Sequence, residues 1–290
     1  MAQKTSIFLA ALFVSILSSA QIKGVVIDNA TRMPIPYVSI WVENENNGTT
    51  SEENGKFELN VSEKSKTLLF SALGYEKKKV SISKVMQVEL IPSTIELQEV
   101  VITKRYANRQ IEIGETENSF LQAYENGPRI DIKFFPYQSK YKRTKFIKQV
   151  VLNTDSRIEE AMLKLHFYKV DSSGFPGEEF LEKDFIVSVS KGVKKTLFNL
   201  IPFNLRMPKN GIFVGFERLK IEKNKLETTT INSTNIKTTF CPFVLYNSVE
   251  RDFNFTFSSG KWNKESTSNS SGTSSKTTIY EPAINLILTN

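Results

Sequence analysis

The sequence predicts an all-β protein organised as two β-sandwiches. Apolar residues recur at every second position over short runs, most cleanly in Tyr37–Glu43, Lys56–Val61 and Ala161–Val170. Clusters of Asn, Gly, Pro, Asp and Ser separate such runs at intervals of about 8–12 residues. The length of 290 residues leaves room for two domains at roughly 150 residues each. Hydrophobic residues make up 40% and charged residues 24%, as in ordinary globular chains, which sets aside collagen-like, coiled-coil and wholly disordered readings. A large plugged outer-membrane barrel of roughly 22 strands needs far more chain.

The chemistry is bounded by counts. One Cys and one His cannot build a zinc cage or a disulfide within the chain. No cofactor motif stands out, and the expected metal, cofactor and catalytic sets are all none.

Met1 to Ala20 reads as a secretory signal. Lys4 supplies the positive start, Ile7 to Leu17 is an apolar run of eleven, and Ser18-Ser19-Ala20 offers small residues for cleavage. Eleven apolar residues are too few to cross a bilayer core that needs about 20. No later stretch approaches that length, so an exported chain without a transmembrane helix is expected. Export permits disulfides, but Cys241 has no partner. Its setting in Thr239 to Val244 suits a buried, inert thiol.

From Gln21 to Ile102 the candidate strands are Ile22–Asp28, Tyr37–Glu43, Lys56–Val61, Thr67–Ala72, Lys79–Ile82, Met86–Leu90 and Glu99–Ile102. In the second of these Val38, Ile40 and Val42 share one face, while Tyr37, Ser39, Trp41 and Glu43 share the other. Asn54-Gly55 between two patterned runs is a tight-turn signal, because both residues tolerate positive φ. Pro34 and Pro36 fix φ and remove two donors, so the chain is expected to enter the Tyr37 strand at a sheet edge.

These residues carry a resemblance. Gly24-x-Val26, Thr31-x-x-Pro34-Ile35-Pro36-x-Val38, Gly48-Thr49-x-Ser51, Gly55-x-Phe57 and Leu68-x-Phe70-Ser71-x-x-Gly74-Tyr75 together resemble the carboxypeptidase-regulatory-like domain. That resemblance implies a seven-stranded transthyretin-like sandwich. It closes on Leu97-Gln98-Glu99-Val100-Val101-Ile102, similar to the joint between this domain and the plug of bacterial TonB-dependent outer-membrane receptors. One departure is Glu52-Glu53-Asn54 where family members often carry Thr-Asp, which keeps a polar turn. The resemblance implies a structural or partner-docking role at the outer membrane, with the protein periplasmic, outer-membrane associated or at the cell surface. It implies no peptidase activity, since the metal ligands are missing.

Residues 103–127 read as a linker, with a short helix expected over Glu115–Glu125 before Asn126-Gly127-Pro128. Residues 128–290 form the second domain, expected as a jelly-roll-like sandwich. Its strands are placed at Arg129–Phe135, Thr144–Asn153, Ala161–Val170, Phe185–Ser190, Lys195–Leu200, Gly211–Leu219, Cys241–Tyr246 and Ile284–Leu288. Glu222–Thr239 and Lys261–Thr278 read as low-complexity inserts, the second as an exposed mobile loop.

Three features invite chemistry. His166 shares a strand face with Lys164 and Tyr168 opposite Leu163, Leu165 and Phe167, so an exposed or partly exposed place is expected and a general base is not. No Gly-x-Ser-x-Gly elbow accompanies it. Glu159-Glu160 and Glu178-Glu179 are adjacent pairs and not facing ones, so a glycosidase is disfavoured unless folding gathers carboxylates around a cavity. The turn Asp171 to Glu179 has oxygen ligands for calcium but not EF-hand spacing, and reads as a plain polar turn.

Lys133 to Lys148 interleaves aromatic and basic residues. It reads as one strand with its aromatics in the core and its lysines wet. Within it Tyr137, Tyr141, Lys142 and Arg143, together with Trp262, are the candidate contacts for an anionic glycan or a membrane surface. Trp41 is a second candidate for exposed stacking on sugars. Export argues against nucleic acid. The expected function is a non-catalytic envelope module that docks a partner, with carbohydrate or surface-polymer binding by the second sandwich as the alternative.

Overall fold

Alternation in Lys56–Val61 becomes structure directly: Phe57, Leu59 and Val61 are buried while Lys56, Glu58 and Asn60 face water. The computed structural model describes residues 20–84, 86–93, 108–114, 119–120, 128–229, 236–266 and 277–290. The N-terminal strands are β1 (Ala20–Asp28), β2 (Ser39–Val42), β3 (Gly48–Thr50), β4 (Lys56–Val61), β5 (Thr67–Ser71), β6 (Lys78–Ser81) and β7 (Gln87–Leu90). They form two facing sheets, ordered β4-β1-β7 and β3-β2-β5-β6. Between the sheets lie Val26, Val38, Ile40, Val42, Phe57, Leu59, Leu68, Phe70, Val88 and Leu90. Each such side chain stabilises the fold by roughly 1.5–3 kcal/mol through burial.

Two expectations change here. The seventh strand of this unit is Gly48–Thr50, where the sequence suggested only the end of a turn; Glu99–Ile102 lies outside the described residues, as does the signal segment up to residue 19. The prolines do not lead into an edge, because β2 lies between β3 and β5. Instead Tyr37 takes a left-handed turn (φ 55°), and the Ser51 hydroxyl accepts from Val38 N and donates to the Ile35 carbonyl. That side-chain bridge compensates for the donors the prolines remove.

The second unit contains β8 (Gln110–Ile113), β9 (Ser119–Phe120), β10 (Ile130–Phe135), β11 (Phe146–Ser156), β12 (Ala161–Val170), β13 (Pro176–Glu179), β14 (Phe185–Val189), β15 (Gly192–Asn199) and β16 (Ile212–Arg218). It continues with β17 (Lys225–Thr229), β18 (Ile236–Phe240), β19 (Phe243–Val244), β20 (Tyr246–Arg251), β21 (Phe253–Ser258), β22 (Lys261–Ser266), β23 (Thr277–Pro282) and β24 (Ile284–Thr289). One sheet runs β13-β12-β16-β10-β21-β22, with β14 also on β12; the other runs β15-β11-β24-β8, with β19 on β11. Leu163, Leu165, Phe167, Val214 and Phe216 from the first meet Ile147, Val150, Leu152, Ile284, Leu286 and Leu288 from the second. Two smaller sheets, β17-β18 and β23-β20-β9, flank this sandwich.

The stretch read as a linker therefore contributes β8 and β9 to the second unit, where they pair with β24 and β20. The rest of the expected helix over 115–125 lies outside the described residues. Both low-complexity inserts also order locally. β22 pairs with β21 from Phe253–Ser266 to Ser258–Lys261, and β17 pairs with β18 along its whole length. Ahead of β17, the fully buried Asn224 accepts from Met162 N and donates to the Met162 and Leu219 carbonyls, so one polar side chain fastens this insert to β12. Periodicity is blind to such a bond. Cys241 is buried beside Ala161 and Val189, as its apolar setting predicts.

Gly55 supplies the positive φ (73°) that carries the chain from β3 across to β4, and a Cβ there would sit 2.5 Å from the Val26 carbonyl oxygen. Gly55→Ala is expected to cost about 1–3 kcal/mol of unfolding free energy, read as a lower urea midpoint. An unchanged midpoint would contradict this reading of the turn.

Candidate functional site

On β12 the sequence alternation is correct and its consequence is not. Leu163, Leu165 and Phe167 enter the sandwich core, but Lys164, His166 and Tyr168 on the opposite face are buried as well. The N-terminal unit covers them. β2 has the same property: Val38, Ile40 and Val42 fill its own core, while Ser39 and Trp41 turn towards the second unit and are buried there. Trp41, expected as an exposed aromatic, is 2% exposed and stands edge-on to Phe257 at 5.2 Å. The chain of rings continues from Phe257 to Trp262 (5.3 Å) and from Trp262 to Tyr168 (5.2 Å).

His166, expected near the surface, is 5% exposed. Its Nδ1 lies 2.9 Å from Glu179 Oε1 and 3.1 Å from the Tyr168 hydroxyl, and its Nε2 lies 3.2 Å from Glu217 Oε2. Ser39 Oγ, from β2, donates to the same Glu217 oxygen at 2.9 Å. Lys164 Nζ donates to the Tyr37 carbonyl (2.8 Å) and to Asp184 Oδ2 (3.1 Å). Charged groups of the second unit thus meet neutral polar groups of the first across the boundary. Further along, Lys220 N donates to Thr50 Oγ1 and Glu222 N to Glu52 Oε1.

Electrostatics fix the protonation of this cluster. Burial opposes a charged His166, but Glu179 and then Glu217 overcome it and push the imidazole up to about 9. Burial likewise opposes an ionised Glu217, yet His166, Lys164 and Ser39 hold it below the ordinary carboxylate range. Lys164 is raised despite its burial, through Asp184 and Glu217. Tyr168 is raised well above an ordinary phenol by burial and then by Glu179 and Glu217. An imidazolium with both N–H groups engaged has no lone pair to abstract a proton. The serine is bonded to the carboxylate and not to the imidazole, which is not the order a hydrolytic triad needs. As arranged, these groups neutralise one another.

Above them opens a cleft of about 830 Å³ between the two units. One wall comes from the N-terminal sandwich (Ser71, Leu73, Tyr75, Lys77), and the other from the segment after β12, with Glu178, Glu179, Glu182 and Asp184. Phe257 and Trp262 also line it, and Lys164, His166 and Glu217 contribute buried side chains. Folding therefore does gather carboxylates around a cavity. Among them Glu217 is buried and held ionised beside His166. Glu178 and Glu179 separate: the first pairs with exposed Lys169, the second with His166.

Of the five candidate contacts for a glycan or membrane surface, Trp262 lines this cleft, as do Trp41, His166, Glu178 and Glu179 from the other features the sequence raised. Tyr141 is buried and Tyr137 half-buried, packed edge-on at 6.0 Å against the core of the second sandwich. Lys142 and Arg143 are exposed on the 3₁₀ turn Ser139–Arg143 and do not line the cleft. The segment Lys133–Lys148 is thus strand, turn and strand, and its Lys133 is not wet but buried against Glu281. Asp171 Oδ1 accepts from Ser173 N, Ser173 Oγ and Phe175 N, closing its own turn. Among the described residues no three His, Cys, Asp or Glu side chains are disposed to hold a metal. Glu217, Asp184 and Ser39 escaped the sequence reading, because only tertiary contact brings them to His166.

The seven-stranded sandwich coincides with a family match spanning residues 22–102. Those residues form a CarboxypepD_reg-like domain. No curated protein matches the chain. The CarboxypepD_reg-like domain thus provides one wall of the cleft, and residues outside the match provide the other.

The His166 value sets a pH window. A folded value of about 9 against an ordinary 6.5 means its stabilisation is full below pH 6.5 and lost as pH rises through about 9. The gap is worth roughly 3 kcal/mol. Glu217 acts oppositely, its share being lost as pH falls below the carboxylate range. Urea midpoints are expected to fall between pH 6.5 and 9, and His166→Gln to flatten that slope; an equal slope in the variant would refute the assignment. Glu217→Gln is expected to cost about 3–5 kcal/mol, since it leaves a buried cation short of a partner.

Proposed function

We propose that this chain is an exported, non-catalytic binding protein of the cell envelope whose recognition site is the cleft between the CarboxypepD_reg-like domain and the second sandwich. The observation that carries this is the pairing of every buried charge at the cleft: these groups are spent on one another and on Ser39 and the Tyr37 carbonyl of the N-terminal unit. What faces the open space is an aromatic edge at Trp262 and a wall of carboxylates, with Tyr75 and Lys77 on the wall opposite. A carboxylate accepts several hydrogen bonds and donates none, so a hydroxyl-rich ligand with apolar ring faces suits it, which favours a surface glycan. The CarboxypepD_reg-like family, itself non-catalytic, supports a binding role. Export rests on Lys4, the apolar run Ile7–Leu17 and the small residues before Gln21.

The full chain on an array of envelope polysaccharides, followed by calorimetry, tests the ligand. Trp262→Ala is expected to weaken binding about tenfold or more with the fold intact, and removal of the Lys142 and Arg143 charges to leave it unchanged. Binding that ignores Trp262 but needs Lys142 and Arg143 would place the site elsewhere. Fractionation with N-terminal sequencing is expected to find a mature start at Gln21 in the envelope; an uncleaved cytoplasmic chain would overturn the location. Partner docking is favoured by one further feature, the Leu97–Ile102 stretch that resembles a receptor joint, and crosslinking in envelope extracts reads it out.

A further inference from the structure

Two long stretches of the second unit hold no acid: neither Asp nor Glu occurs from Ile132 to Thr154 or from Phe185 to Phe216. Folding lays parts of them side by side where β11 begins. Leu200 N donates to the Lys148 carbonyl, Ile147 N to the Leu205 carbonyl and Met207 N to the Lys145 carbonyl, at 2.8, 2.9 and 2.8 Å. Around this junction Lys142, Arg143, Lys145 and Arg206 are exposed and Lys148 is half-exposed. None of the five is ion-paired among the described residues; Lys145 and Arg206 each lie 5.5 Å from the Phe146 ring. Nearby acids are spent elsewhere. Glu112 on β8 pairs with Lys195 and accepts from Asn285, and Asp184, next to Phe185, pairs with Lys164. In sequence, residues 100–107 contain Lys104 and Arg105 and no acid.

From the same junction the chain turns outward at Ile201-Pro202-Phe203. All three residues are exposed, Ile201 by 44% and Phe203 by 38%. Asn199 Oδ1 accepts from Ile201 N, and Asn204, left-handed at φ 51°, donates its N–H to the Ile201 carbonyl, both at 3.1 Å. Phe203 stands edge-on to Phe185 at 5.1 Å. Polar bonds thus hold the turn while its apolar side chains face water. A run of exposed apolar residues is a liability unless something covers it. The cations call for an anionic cover, and a soluble polyanion would leave Ile201 and Pro202 wet. A lipid surface satisfies both, since apolar groups enter the headgroup boundary while Lys and Arg stay at the phosphates.

We propose that this end of the second sandwich docks on an anionic lipid bilayer. Ile201 and Phe203 enter the headgroup boundary, and Lys142, Arg143, Lys145, Lys148 and Arg206 meet lipid phosphates. The surface shares no residue with the cleft, so this reading and the glycan reading stand or fall separately.

Flotation of the full chain with phosphatidylcholine vesicles, plain or containing about a third phosphatidylglycerol, tests this. Binding is expected to the anionic vesicles and to weaken steeply as salt rises to physiological strength. Arg143→Gln, Lys145→Gln and Arg206→Gln together, all at exposed positions, are expected to lower the partition coefficient about a hundredfold. Ile201→Ser with Phe203→Ser is expected to lower it about tenfold or more at an unchanged salt dependence, and Trp262→Ala to leave it unchanged. Phe203→Trp supplies a readout independent of affinity: its emission is expected to shift to the blue on anionic vesicles and to be quenched by brominated acyl chains. No binding to the anionic vesicles, equal binding to the neutral ones, indifference to the serine pair or an unquenched Phe203→Trp would each overturn the proposal. Heparin binding that is as tight and equally indifferent to the serine pair would mark a polyanion site in its place.

Discussion

The architecture depends on charges that sit where water cannot reach them. Lys164, His166 and Glu217 lie on the outer face of one sandwich and are covered by another. An ion in that position costs several kcal/mol unless a partner is held in good geometry. Asp184, Glu179 and each other supply those partners, while Ser39 and the Tyr37 carbonyl close the set from the opposite unit. Because the satisfying groups come from both sides, the charges specify one docking arrangement. Apolar contact alone, through Trp41, Phe257 and Leu69, is non-directional and would tolerate slippage.

The lone histidine beside carboxylates is held by pairing at both of its ring nitrogens. Such a constellation in a cleft usually marks catalysis. Here both imidazole nitrogens are engaged, the serine addresses the acid, and the perturbed values follow from mutual pairing. The same cluster that fixes the interface also lines the cleft above it.

How much of this was legible is clearest on β2 and β12. Alternation correctly sorted Val38, Ile40 and Val42 from Ser39 and Trp41, and Leu163, Leu165 and Phe167 from Lys164, His166 and Tyr168. Period two identifies faces but cannot say what covers the polar one, so His166 and Trp41 read as exposed. The domain motif was readable because turn glycines and core positions are local in sequence. The described ends of the inserts were misjudged for the converse reason, while 230–235 and 267–276 lie outside the described residues. Composition around Asn224 and Trp262 looks loop-like, yet Asn224 is satisfied by β12 and Trp262 by Phe257 and Tyr168. Trp262, singled out in the sequence, lies at this cleft, while its cleft partners from β13, β16 and the following loops carried no local signal.

The contacts between Ser39 and Glu217, Thr50 and Lys220, and Glu52 and Glu222 follow one another along the chain that leaves β16. Bonds set side by side in this way are strained together when the two halves are dragged past each other, and not peeled one by one. Shear along this seam is thereby shared among three bonds from successive stretches of both halves.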